Sequence, residues 1–415
     1  MHAIVALEQR DDVHSAEPDY IYQVDLGVEM QSTGTRPVYG WAAQKIEQEA
    51  AWEIETGSNS ILVGILDSGI DNSHPELNGK INQILSWDFV TDDNFSALQD
   101  PMGHGTHVAG IIGAKHENDA IYFSGVCQNV TLVSLSVMKY LGTQNGIILS
   151  ELKSSVLTTA INYAETKDIP LLNLSAFVTE HEWSETDGVF DKSLRTAISS
   201  YSGTLICAAG NDDADLKNYK GGSRGYGIPA ILNYANIITV GASDQNDARW
   251  ETDTYSSNYD TGPIGEKKVD IFAPGCNILS CYSLSKCPAT GCETAGHSSR
   301  GYHFMSGTSM AVPFVTGVAA LILARHPNAT PATIKNTIIY GDDDVSTLSN
   351  LCYSGGRLNA YNALTSKILH SNVTYTSINE TSHRVSCNDC NLTWLEEHTE
   401  RPGVEVCIYC QEYLW

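Results

Sequence analysis

A chain of 415 residues with 42% hydrophobic and 18% charged residues is long enough for one large domain with smaller additions, and its composition excludes wholesale disorder. A formal net charge of −25 excludes nucleic-acid and anionic-membrane binding, both of which need a basic face. No run of 18 or more consecutive apolar residues is present, so no membrane span is expected.

Residues 1–35 are polar and acidic, and Met1–Glu8 has no basic region or long apolar core of a leader peptide. Ala43–Thr56 carries helical spacing (Ile46, Ala50, Trp52, Ile54) and stops at Gly57. Ile61–Leu66 is a nearly continuous apolar run, as in a strand buried on both faces of a parallel sheet. It ends at Asp67, which puts a carboxylate at the carboxyl end of a core strand, the edge where α/β proteins build sites. After a polar loop over residues 71–100, the segment Gly103–Ala114 reads as a helix of small residues with His104 at its mouth and His107 one turn on. A metal site on these two histidines lacks a third ligand, whereas a general base at His104 needs none.

Further along, Val130–Val137 reads as a strand, Glu151–Thr166 as a helix, Ile169–Leu174 as a strand and Phe190–Tyr201 as a helix. Leu205–Ala209, Ala235–Ala242 and Val269–Phe272 read as strands, and an apolar helix follows Ser309. This alternation predicts a doubly wound, mostly parallel α/β sheet flanked by helices, with the strand carboxyl ends on one side. Asn211, just past the strand that ends at Ala209, reaches the same edge as Asp67, and Ser309 begins a helix whose dipole and free N–H groups favour negative charge.

A hydroxyl becomes a useful nucleophile when a base takes its proton and a carboxylate orients that base. Asp67, His104 and Ser309 supply those roles, and the side-chain amide of Asn211 supplies a donor to an oxyanion. The segments Asp67-Ser68-Gly69-Ile70-Asp71, His104–Gly110, Ala208-Ala209-Gly210-Asn211 and Gly307–Pro313 resemble the signature segments of the subtilisin-like serine peptidases, over roughly residues 36–365. The resemblance implies a serine endopeptidase in which Asp67, His104 and Ser309 are the triad and Asn211 the oxyanion donor. It also implies a substrate edge at Leu174, Ser175 and Ala176, with Ala209 and Gly210 beside it, where a peptide or protein adds as an extra strand. Phe177 stands where the family usually has glycine, which reshapes the cleft.

Catalysis in such an enzyme takes no cofactor. The family's structural calcium would fall to oxygens such as Glu76 and the Asn118-Asp119 turn. Residues 1–35 resemble the end of an inhibitory propeptide, with cleavage expected between about residues 22 and 36. Residues 36–370 form the peptidase domain, and an extracellular monomer is expected. Of the eleven cysteines, Cys276, Cys281, Cys287 and Cys292 crowd one insertion and suit local disulfides. Cys387, Cys390, Cys407 and Cys410 form two Cys-x-x-Cys pairs sixteen residues apart, which makes residues 371–415 a small Cys-rich module stapled by zinc or by disulfides.

Overall fold

The computed structural model describes residues 10, 13, 19, 21–23, 28–29, 40–94, 96–115, 124–144, 147–176, 191–218, 229–230, 232–286 and 301–366, and short stretches of residues 373–407. The chain divides into two compact units, Met1–Leu364 and Thr365–Trp415.

In the first unit the strands are β1 (Ile21–Gln23), β2 (Val28–Glu29), β3 (Gly57–Asp67), β4 (Trp87–Asp88), β5 (Asn129–Ser136), β6 (Met138–Gln144) and β7 (Ile147–Lys153). They continue with β8 (Leu171–Leu174), β9 (Thr204–Ala208), β10 (Ile237–Ser243), β11 (Ile271–Pro274), β12 (Ile278–Cys281), β13 (Tyr302–Ser306), β14 (Asp343–Asp344) and β15 (Gly356–Arg357). The main sheet runs β14-β15-β11-β10-β9-β8-β3-β5-β4. Every neighbouring pair in it is parallel except the outermost, β14 with β15. This is the doubly wound sheet that the sequence predicts. Its central strands read as apolar runs because helices cover both faces, and β8, β9 and β10 are buried along their whole length.

Helix Thr308–Arg325 packs against β3, β8, β9 and β10. Among the described residues it alone is long and apolar enough to cross a membrane, but 89% of it is buried inside the protein as a core helix. Helix Ser154–Thr166 buries Leu157, Ala160, Ile161 and Ala164, four of the six apolar positions whose spacing predicts it; Val156 is half-buried, Leu152 lies in the preceding strand, and the helix starts three residues later than expected. Glu151–Lys153 instead ends β7, because β6 and β7 pair antiparallel and join β1 in a second sheet. The helix expected over Ala43–Thr56 is two short helices, Trp41–Lys45 and Gln48–Trp52, broken where Glu47 takes a left-handed φ of 54°.

β12 and β13 form a hairpin around the Cys-rich insertion, and β2 pairs with the far edge of β13. Cys276 and Cys281 carry free thiols, which corrects the disulfide expectation for these two. Cys281 lies at the end of β12 in the core, against Gly110 of the His104 helix, and not on a surface loop. Burial pushes its thiol up, and that of Cys276 to about 11. Cys287 and Cys292 lie outside the described residues.

The second unit holds an antiparallel sheet of β16 (Val373–Ser377), β17 (Ser382–Cys387) and β18 (Thr393–Glu397), and a hairpin of β19 (Glu400–Arg401) and β20 (Val404–Cys407). Cys387 and Cys407 each close a strand, so both Cys-x-x-Cys pairs follow a strand end; Cys390 and Cys410 lie outside the described residues.

Candidate active site

Three adjacent parallel strands, β9, β8 and β3, deliver the site. Ile65 is in register with Asn173, and Asn173 with Ile206, so Asp67, Ser175 and Asn211 leave the sheet at one edge. Asp67 is the last residue of β3, and His104 the first of helix His104–Gly113. The His104 Nδ1–H donates to Asp67 Oδ1 at 2.8 Å, with both side chains 1% exposed. A carboxylate can only accept, so Nδ1 carries the hydrogen of this contact and Nε2 is the other ring nitrogen, the one not turned to Asp67. The same oxygen accepts the Ser68 N–H at 2.8 Å. Gly105 makes the approach achievable, since a Cβ there would overlap the Gly69 carbonyl oxygen and stand 3.2 Å from the Asp67 side chain.

The His104 helix also packs against the core helix Thr308–Arg325, whose second residue is Ser309. Two reciprocal bonds fix Ser309 on the end of β8: its Oγ donates to the Ser175 carbonyl at 2.9 Å, and Ser175 Oγ donates to the Ser309 carbonyl at 2.8 Å. The second bond has a covalent cause. Pro313 lies inside the helix and has no N–H to donate four residues back, so the Ser309 carbonyl needs another donor. Ser175 Oγ accepts from Asn173 Nδ2 at 2.9 Å, and Asn173 Oδ1 accepts from Thr316 Oγ1 at 2.9 Å.

Asn211 is fully buried, and its Oδ1 accepts both the N–H and the Oγ1–H of Thr308, each at 2.9 Å. A backbone N–H can only donate, so the amide orientation is settled and Nδ2 faces the other way. Among the described residues Nδ2 is a buried donor with no partner. A buried unsatisfied donor costs about 1–3 kcal/mol, and Nδ2 is free to donate to an acceptor that enters the site. Asn258, 47 residues away and unremarkable in sequence, builds the turn that holds Asn211. Its Oδ1 accepts from the N–H groups of Asp212 and Ala214 at 3.0 and 2.9 Å, and its Nδ2 donates to the Ala209 carbonyl at 2.9 Å. The Ala209 and Gly210 carbonyls are thus both held by Asn258, through its side chain and its N–H.

Leu174, Ser175 and Ala176 are buried beside Ser309, and Phe177 lies outside the described residues. His107 does not share a metal with His104; its Nε2 donates to the carbonyls of Ile278 and His303, at 3.0 Å each. Tyr302 Oη donates to Glu76 Oε1 at 3.0 Å, and the Asn118-Asp119 turn lies outside the described residues. No group of three or more His, Cys, Asp or Glu side chains gathers to hold a metal ion among the described residues.

A buried carboxylate–imidazole pair, a hydroxyl at a helix start and an orphan amide donor at one sheet edge form a site suited to acyl transfer. The sequence matches the subtilase family model over residues 58–353. It is 30% identical to halolysin of Haloferax mediterranei over 367 residues, covering 87% of this chain and 59% of that protein. It is also 30% identical to thermitase of Thermoactinomyces vulgaris over 329 residues, covering 78% of this chain and 95% of thermitase. Among solved structures, a cold-adapted subtilisin-like serine proteinase superposes with a TM-score of 0.53 at 26% identity, covering 73% of this chain and 90% of that one. The chain belongs to the subtilase family of serine endopeptidases. Subtilases need no cofactor for catalysis, and many bind structural calcium.

Proposed function

We propose that this chain hydrolyses peptide bonds through an acyl-enzyme, with Ser309 as nucleophile, His104 as general base and acid, Asp67 orienting the imidazole and Asn211 holding the oxyanion. The Ser309 hydroxyl turns about its Cα–Cβ bond from the Ser175 carbonyl to His104 Nε2 and gives up its proton there. Its oxygen bonds to the scissile carbonyl carbon, and the oxygen that becomes negative takes the Asn211 Nδ2–H. His104 then passes the proton to the leaving nitrogen as the C–N bond breaks, and water repeats the cycle on the acyl-enzyme. The observation that carries this reading is the orphan Asn211 donor beside Ser309, which a structural turn asparagine would not need.

The substrate is a peptide or protein that adds beside Leu174, Ser175 and Ala176. The chain's own N-terminal segment is a first partner. β1 pairs antiparallel with Glu151–Lys153, β2 pairs with Met305–Ser306 just before Ser309, and Asp19 Oδ1 accepts the Ser155 N–H at 3.1 Å at a helix start. These contacts support a propeptide-like segment over residues 1–35, cut between about residues 22 and 36. The working enzyme is an extracellular monomer; burial pushes the thiols of Cys127 and Cys207 up to about 12, which keeps these two protonated and poorly reactive in an oxidising medium. Structural calcium would draw on Glu76. Cys387, Cys390, Cys407 and Cys410 would hold zinc or two disulfides in residues 371–415, distinguished by metal content and thiol count.

The test is intact-mass spectrometry with and without a fluorophosphonate. Wild type gains one adduct and loses roughly its first 30 residues, while Ser309→Ala does neither. Peptide cleavage that survives in Ser309→Ala, or a wild type that cleaves peptide without taking the label, refutes the assignment.

A further inference from the structure

Asp100 is 2% exposed and receives five hydrogen bonds. Its Oδ1 accepts the Ser68 hydroxyl at 2.8 Å and the N–H groups of Met102 and Gly103 at 3.0 and 2.8 Å. Its Oδ2 accepts the Thr106 N–H at 2.8 Å and the Thr106 hydroxyl at 2.6 Å. The donors belong to two segments that must meet. Ser68 follows Asp67, and its Oγ accepts the Gly105 N–H at 3.0 Å. Met102, Gly103 and Thr106 bracket His104, and Thr106 Oγ1 accepts the Asp71 N–H at 3.0 Å. The carboxylate ties the turn after the β3 carboxylate to the first turn of the histidine helix from both sides.

A salt-bridged or solvated aspartate would explain none of this. Burial pushes the Asp100 carboxyl up, against the hydrogen bonds of Thr106 and Ser68, and the Asp67 charge adds to the rise. A second carboxylate buried within reach of Asp67 is costly, and five converging donors offset that cost only while the loop keeps this shape.

Resting on the catalytic reading above, we infer that Asp100 is a positioning residue that holds the His104 imidazole in register with Asp67. The reaction gains no atom from it; the imidazole gains a fixed distance to Asp67 and a fixed aim for Nε2. Misplacement of a reacting group by about 1 Å costs on the order of 100-fold in rate.

The experiment measures kcat, KM and the pH profile of kcat/KM on a chromogenic peptide for wild type, Asp100→Asn, Thr106→Val, Thr106→Ser and Ser309→Ala, with thermal melting alongside. Either orientation of an asparagine amide at position 100 turns its NH2 toward backbone donors. Asp100→Asn therefore loses on the order of 100-fold in kcat, with KM within about threefold. Its acid limb moves to lower pH, because a loosened Asp67 contact and a lost negative charge both favour neutral imidazole. Thr106→Val removes one donor and shifts kcat and the limb the same way by a smaller amount; Thr106→Ser restores both. If Asp100→Asn does not fold, the valine and serine variants decide. Folded variants with wild-type kcat and an unmoved acid limb overturn the inference, as does a lower melting temperature with unchanged turnover. Full turnover in Ser309→Ala would instead overturn the catalytic reading on which it rests.

Discussion

The bond between Ser175 Oγ and the Ser309 carbonyl invites a double-mutant cycle, because its strength should depend on a proline four residues away. Ser175→Ala deprives two buried groups of a partner, the Ser309 carbonyl and the Asn173 Nδ2 amide. At about 1–3 kcal/mol for each buried polar group left unpaired, the substitution should destabilise the protein by about 2–6 kcal/mol. Pro313→Ala restores an N–H at the position from which a regular helix would satisfy the Ser309 carbonyl. In that background Ser175→Ala strands only Asn173, and its cost should fall to about 1–3 kcal/mol. The four variants are compared by equilibrium urea unfolding in a Ser309→Ala background, which prevents self-digestion and keeps the carbonyl. A coupling of about 1–3 kcal/mol is expected. Additivity within about 0.5 kcal/mol would refute the idea that the proline creates the vacancy that Ser175 fills.

Acid should weaken the fold through His107. Burial, with the fields of His303 and His104, lowers its pKa from 6.5 to about 3, so the folded state keeps it neutral where the unfolded chain protonates it. Stability therefore falls as pH drops from about 6.5 toward 3, with a slope approaching one proton, about 1.4 kcal/mol per pH unit. His74, lowered by burial, adds in the same direction. Urea midpoints between about pH 7 and pH 4 should show this slope, and His107→Gln should flatten it by about one proton; an unchanged slope would contradict it. Gly105→Ala should cost about 1–3 kcal/mol or more and suppress fluorophosphonate labelling, because backbone on both sides prevents relief of the clash. Wild-type labelling in that variant would show that the His104 helix can stand further from Asp67.

Much of the fold could be read from single segments. Ile61–Leu66 is apolar on both faces and then turns to Asp67, a pattern that suits a buried parallel strand ending at a functional edge. The run after Ser309 is apolar all round because the core helix touches the sheet on one side and the His104 helix on the other. The hairpin β6–β7 was not legible, since it packs as an addition beside the sheet and its first half lacks a clean alternation. Nor was the free state of Cys281, whose burial depends on the hairpin folding over the His104 helix.

What the sequence determined by itself is what local pattern encodes: a parallel α/β sheet, and the arrival of Asp67, His104, Asn211 and Ser309 at element ends. Tertiary structure decided which groups hold them there. Asp100 lies in a polar loop, and its carboxylate becomes a hub only when Ser68, 32 residues away, closes over it. Asn258 and Ser175 acquire their partners across 49 and 134 residues. Hydrogen bonds of that range leave no period in the chain, because each is specified by one donor and one acceptor that meet only after the sheet has formed.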